Sequence, residues 1–315
     1  MPPLRVGVVG AGEWGRNHLR VLSSLPEVEL VGFAERDDAR RRAAEAEHGA
    51  PGFPDLEALA ARGLDAVTVA VPTPAHRDAA LAAARLGLHL LVEKPLAGTL
   101  DEADEIVEAA RRAGVLLQVG HVERWGPAFE ALRERCRRPR FIEGHRLATF
   151  GRRGTEVAVV LDLMIHDLDL VLALVGERPS RVDAVGVAVL SSEVDIANAR
   201  IEFPGGAIAN LTASRVSREK VRKLRVFESD AYLSANFVTR EVECFRKVAT
   251  PGAPLGVRIV EETVAVPAEE PLTRELRGFV QAIASGAAPR VDGAAGRDAL
   301  ALATEILAAI EARNR

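Results

Sequence analysis

In the first 120 positions the apolar residues gather in short unbroken runs. These are Leu4–Gly10, Val28–Ala34, Ala66–Val71, Leu88–Val92 and Val115–Val119. Between them, segments at 37–47, 75–86 and 101–113 are rich in Ala, Leu, Arg and Glu and carry helical spacing. Strands covered by helices on both faces read as continuous apolar runs. Strands alternating with helices in this way predict an α/β domain over 1–120, built on a doubly wound parallel sheet.

Beyond residue 120 the texture changes. Strand-like stretches at 139–149, 180–190, 194–203, 206–214, 221–228, 230–238, 240–248 and 256–266 follow one another, punctuated by Pro204-Gly205-Gly206 and Pro251-Gly252. One helix is predicted at about 157–175 and two more near 271–285 and 294–312. This predicts an α+β domain over 121–315 with an open, mostly antiparallel sheet, its last helix able to pack back on the first domain. An apolar sheet face left in water is a liability, and Ile196, Ala199, Ile201, Ile208 and Leu211 are candidates for such a face. The expectation is a homodimer or homotetramer.

Composition narrows the setting. The chain has 315 residues, 48% hydrophobic, with a net charge of -4. That is ample for two cores and gives no reason to expect a nucleic acid or membrane partner. Two distant cysteines, Cys136 and Cys244, predict neither a disulfide framework nor a metal site, and the seven histidines are scattered. No secretory segment precedes the first strand, and no apolar run reaches the roughly 20 residues that cross a bilayer. The expected compartment is the cytoplasm.

The first run leads into Gly10-Ala11-Gly12-Glu13-Trp14-Gly15 and then a helical segment. A GxGxxG between a strand and a helix is the dinucleotide fingerprint of Rossmann domains. Its glycines allow a tight turn, close approach of a pyrophosphate, and packing of helix on strand. Free N–H groups at the helix start favour phosphate. Glu13 and Trp14 lie inside this turn and are candidate cofactor contacts. Glu35 stands 20 residues after Gly15, where a carboxylate can bind a ribose 2′-OH, so NAD is expected. Arg36 beside it leaves NADP open.

Two further motifs carry chemistry. Glu93-Lys94-Pro95 follows the run Leu88–Val92, where ligands of parallel sheets bind. Asp162 and His166 are four residues apart in an otherwise apolar helical segment, hence on one face. Burying two titratable groups is costly unless they are paired or used. Asp167 and Asp169 fall on other faces and read as solvated or capping groups; His18 reads as structural.

Taken with Val71-Pro72-Thr73-Pro74-Ala75-His76, these motifs resemble the Gfo/Idh/MocA family of sugar and cyclitol dehydrogenases over nearly the whole chain. The resemblance implies hydride transfer between a carbinol carbon and the nicotinamide. It makes Lys94 and His166 the acid/base pair with Asp162 tuning them, and it implies cofactor contacts at Pro72, Thr73, His76, Glu93 and Lys94. The bracketing of Thr73 by two prolines departs from the family's usual single proline. The segments 120–128, 162–167, 195–199 and 210–217 further resemble a bacterial branch of the family whose members include one that oxidises UDP-N-acetylglucosamine at C3 for lipid A assembly. A diphosphate substrate needs cationic donors. Arg152 and Arg215 are the candidates for it, and Glu123 and Arg124 are candidate substrate contacts that could equally be an ion pair at the domain joint. Lys94, Asp162 and His166 complete the expected substrate-binding set. Competing readings are a free-sugar, inositol or biliverdin-like reductase of the same architecture, or a non-catalytic NAD(H) sensor, which would have lost Lys94 or His166.

Overall fold

In the computed structural model, which describes residues 2–314 except 152–154 and 254, the first apolar run becomes the central strand of a parallel sheet. Along the chain come β1 (Leu4–Val9), α1 (Glu13–Leu22), β2 (Val28–Ala34), α2 (Asp38–His48), β3 (Gly52–Phe53), α3 (Leu56–Ala60), β4 (Ala66–Val69), α4 (His76–Arg85), β5 (His89–Glu93), α5 (Leu100–Ala113) and β6 (Leu117–Gly120). The strand order is β3-β2-β1-β4-β5-β6. It reverses between β1 and β4, and the crevice outside the carboxyl ends at such a reversal is where parallel sheets bind ligands. The helices begin and end on local chemistry. Asp37 caps α2 by accepting from the Arg40 N–H at 2.8 Å, and Thr99 and Glu102 form a capping box on α5. Gly49 and Gly114 end these helices in the left-handed conformation.

The second sheet has eight strands. After α6 (Pro127–Arg135) come β7 (Phe141–Leu147), a π turn (Val160–Met164), α7 (Ile165–Val175), β8 (Arg181–Val187), β9 (Ile196–Glu202), β10 (Ile208–Ser214), β11 (Val221–Phe227), β12 (Ala231–Asn236), β13 (Glu241–Ala249) and β14 (Val257–Glu262). The order is β14-β13-β12-β11-β7-β10-β9-β8, antiparallel except where β7 meets β10. One face is covered by α6, the π turn and α7. Strand alternation sends Ala199, Ile201 and Leu211 to that covered face, where they are buried, so they cannot form the open apolar face expected of them. The uncovered face carries half-buried Ile196 and Ile208 and a row of aromatics, Phe141, Phe227, Tyr232 and Phe245, with successive ring centroids 5.7, 5.1 and 6.1 Å apart.

The chain forms two compact units, Met1–Val122 with Glu270–Leu300, and Glu123–Glu269 with Ala301–Arg315. α8 (Pro271–Ser285) therefore packs in the first unit, where Leu272, Leu276 and Phe279 join the core of Val6, Val8, Leu19, Leu22 and Phe33. α9 (Gly293–Asn314) starts against β6: a Cβ on Gly293 would lie 2.6 Å from Leu117, and one on Gly296 2.5 Å from Val119. No helix among the described residues is long and apolar enough to cross a membrane.

Phe279 is fully buried in this core. Phe279→Ala is expected to cost about 3–5 kcal/mol of stability, read from the urea midpoint.

Candidate active site

The three glycines after β1 are there for three different reasons. Gly10 has φ of 95°, and a Cβ on it would sit 2.9 Å from the Ala70 carbonyl oxygen at the end of β4. A Cβ on Gly15 would fall 1.9 Å from the Gly10 carbonyl oxygen, so only glycine lets α1 come this close to the turn. Gly12 has φ −70° and ψ −168°, which any residue can adopt, and its Cβ would meet nothing within 4 Å. The chain itself has no steric need of glycine at 12. The space that a Cβ would enter, at the first turn of α1, fits a pyrophosphate held by backbone N–H groups.

Glu35, buried just after β2, accepts from the Ala11 N–H at 3.1 Å and from the Asp37 N–H at 3.0 Å. It braces the glycine turn and keeps lone pairs for a further donor, since a carboxylate has about four acceptor positions. Arg36 is exposed, Glu13 is exposed, and half-buried Trp14 packs on the core of the first unit.

Beyond β4 the chain makes a 3₁₀ turn at Thr73–Ala75, with Pro72 exposed and Thr73 half-buried. His76, fully inside, holds two carbonyl oxygens: Nε2 is 2.9 Å from that of Val71 and Nδ1 is 2.9 Å from that of Pro95. Burial pushes its pKa below the ordinary imidazole value, against the pull of those carbonyls and of Glu93. Lys94, half-buried at the end of β5, precedes a cis peptide bond to Pro95. Glu93 faces inward: its carboxylate is 3.0 Å from Nε2 of His18 on α1. His18 is structural in this sense, and Glu93 is engaged with it rather than turned to the surface.

In the second unit Asp162 lies within the π turn and His166 in the first turn of α7, both half-buried, with Met164 and Ile165 fully buried between them. The residues flanking His166 correct the expectation of solvated aspartates. Asp167 accepts two bonds from Arg146, at 3.0 and 2.8 Å, and Asp169 two from Arg124, at 2.9 and 2.7 Å. Both aspartates are buried. Arg146 also donates to Glu123 at 2.8 Å, and Arg222 approaches the same oxygen at 3.4 Å. Burial alone would lower the Arg146 pKa, but Asp167 and Glu123 outweigh it and raise it. Burial works equally against Glu123, yet the Arg146 charge and hydrogen bond hold its carboxyl below the usual range.

Glu123 and Arg124 are thus bound into the support of α7, not to each other. Arg215 is buried as well: its guanidinium lies 3.5 Å from Asp195 and donates to the Val157 and Val194 carbonyls. Asp195 in turn accepts the N–H groups of Val189, Leu190 and Ser191 at 2.9, 2.7 and 2.8 Å. Arg152 lies outside the described residues. Arg146, Asp167, Asp169 and Asp195 were missed as members of this support. A signal for Arg146 exists: in β7 it alternates with Ile142 and Gly144, which puts a guanidinium on the covered face and demands acidic partners. Among the described residues no group of His, Cys, Asp and Glu could hold a metal ion.

Residues 4–121 match the model of the oxidoreductase family with an NAD-binding Rossmann fold (Gfo/Idh/MocA), and residues 130–234 match the C-terminal domain of the same family. The UDP-N-acetylglucosamine 3-dehydrogenase of Acidithiobacillus ferrooxidans is 38% identical over 312 residues, 98% of this chain and 98% of its own. A solved structure of the enzyme of that name from the same organism, GnnA, has a TM-score of 0.91 at 37% identity and covers 99% of both chains. The myo-inositol 2-dehydrogenase of Thermotoga maritima is 26% identical over 95% of this chain and 94% of its own.

Gly12→Ala is expected to leave urea stability within about 0.5 kcal/mol while weakening NADH binding, read by fluorescence, about tenfold or more. Gly15→Ala should instead destabilise the apoprotein by about 3 kcal/mol, because backbone must move. Arg146→Met strands two buried carboxylates and should cost about 3–5 kcal/mol in the same denaturation assay.

Proposed function

We propose that this chain, which belongs to the Gfo/Idh/MocA family of oxidoreductases with their NAD-binding Rossmann domain, oxidises the C3 hydroxyl of UDP-N-acetylglucosamine to a ketone. The observation that carries the substrate is the 38% identity to a UDP-N-acetylglucosamine 3-dehydrogenase across 98% of both chains. The one consistent with the cofactor is the open space at Gly12.

NAD, when bound, supplies the nicotinamide that accepts a hydride from the carbinol carbon. The turn Gly10–Gly15 would hold the pyrophosphate through its backbone N–H groups, those of Glu13 and Trp14 included, and Glu35 would take a ribose hydroxyl and disfavour a 2′-phosphate. Pro72 and Thr73 supply further contacts beyond β4. As the carbon–hydrogen bond breaks, the hydroxyl oxygen becomes a carbonyl oxygen and must lose its proton. His166 takes that proton, since imidazole titrates near working pH. The Lys94 ammonium donates a hydrogen bond to the same oxygen and stabilises its developing charge. Asp162 tunes His166 from the preceding turn. Arg146, Asp167, Arg124 and Asp169 fix the helix on which His166 rides.

A second reading, oxidation of a free polyol, is favoured by the engagement of Arg215. A guanidinium already committed to Asp195 and two carbonyls is a poor diphosphate ligand. The likeness to a myo-inositol 2-dehydrogenase points the same way.

We further infer a homodimer or homotetramer formed through the uncovered face of the second sheet, where the aromatic row is left half-buried. The two free thiols, Cys136 and Cys244, suit the cytoplasm.

With NAD present and a trap for the ketone, reduced nicotinamide should accumulate with UDP-N-acetylglucosamine and not with UDP-glucose or myo-inositol. Turnover of myo-inositol alone would move the assignment to the second reading. Lys94→Ala and His166→Ala should each lower kcat by about 100-fold or more with NADH binding retained. Light scattering at micromolar concentration should give a multiple of the chain mass, and a monomer would refute the interface.

A further inference from the structure

Lys94 is a long side chain whose base is placed by the backbone on either side of it. The two flanking residues are each held by a buried histidine. On one side His18 from α1 is 3.0 Å from the Glu93 carboxylate. On the other, His76 from the start of α4 is 2.9 Å from the Pro95 carbonyl oxygen, and its second nitrogen is 2.9 Å from that of Val71. All of these groups belong to the first unit. With one ring nitrogen on each carbonyl, His76 has no nitrogen left over for a cofactor.

We propose that His76 is a positioning residue for Lys94: it ties the turn that follows Lys94 to the end of β4, so that the ammonium is presented at a fixed place. The inference rests on the role given to Lys94 above. It reassigns His76 from cofactor contact to a strut between two chain segments. A neutral ring has one proton to donate, and the two carbonyls share the ring through its two tautomers. The bond to Pro95 is the one that bears on Lys94. A displacement of about 1 Å in a catalytic group can cost about 100-fold in rate, so a strut of this kind acts on turnover more than on binding.

The test separates the two bonds. His76→Asn keeps an amide donor near Nδ1, toward Pro95, and His76→Gln keeps one near Nε2, toward Val71. Both preserve polarity, so a folded variant is available even if His76→Ala does not fold. Each is made in the full chain and in Lys94→Ala, and assayed with NAD and UDP-N-acetylglucosamine. Amide exchange of the peptide spanning residues 94–98 is followed in parallel by mass spectrometry. The expected result is that His76→Gln speeds exchange in this peptide and lowers kcat, each about tenfold or more, with the NADH dissociation constant changed less than about threefold. His76→Asn should stay within about threefold of the parent in both readouts. In the Lys94→Ala background His76→Gln should lower the residual rate by less than about twofold, since a group acting through Lys94 has nothing left to act on. Unchanged exchange in His76→Gln would overturn the strut. So would a loss of NADH binding in step with kcat, which marks a cofactor contact, or an equal fold-loss in both backgrounds, which marks general destabilisation. Full activity of Lys94→Ala would overturn the proposed function instead, and the exchange measurement would still decide whether His76 holds the turn.

Discussion

No methyl group fits between the α-carbon of Gly15 and the carbonyl oxygen of Gly10. That close approach sets where α1 begins, and much of the first unit follows from it. With α1 seated against β1, its first turn lies open at Gly12 and its face turns Leu19 and Leu22 into the core. The same helix carries His18 to Glu93, so the glycine turn and the residue next to Lys94 are held by one rigid element. The glycine turn and the end of β5 are thereby referenced to a single packing contact. Glu35 braces the turn from β2, and His76 at the start of α4 reaches the Pro95 carbonyl oxygen just beyond Lys94.

The second unit solves a different problem. His166 sits on an apolar helix over a sheet, and apolar packing alone leaves a helix free to slide or turn by small amounts. Two bidentate arginine–carboxylate pairs remove that freedom. Asp167 and Asp169 leave the helix in directions about 160° apart, given 100° per residue, so anchoring both fixes rotation as well as height. Buried charges are costly, and breaking one pair leaves its partner stranded. The arrangement therefore favours a single placement of the helix over a merely stable one.

Much of this could be read from the chain. The apolar runs became β1, β2, β4, β5 and β6, and all eight later stretches became strands, because continuous burial and strict alternation leave distinct patterns. The short elements did not register. β3 has two residues and α3 five, too few for any period to show, and α6 was hidden among strand-like segments although Gly126-Pro127 marks its start. The glycine turn was legible because its residues answer to backbone geometry that is local. The aspartates after His166 were misread because their environment is set by Arg146, some 20 residues away on another element. The surroundings of Arg215 were hidden for the same reason: a cation in sequence says nothing of the Asp195 beside which it is buried. Periodicity locates faces, and only packing determines what those faces meet.

The π turn at Val160–Met164 bears on how this sequence can change over time. Such a turn is an α-helix with one residue too many, and its energetic cost persists most often at functional positions. Deleting a single residue from the stretch would return an ordinary helix with its backbone bonds intact. Deletion at Leu163 or Met164 would also bring Asp162 and His166 from four residues apart to three, turning one around the axis relative to the other. Such a deletion keeps a helix but changes which way Asp162 faces relative to His166, so a change of length here alters the pair where a substitution elsewhere in the turn leaves it.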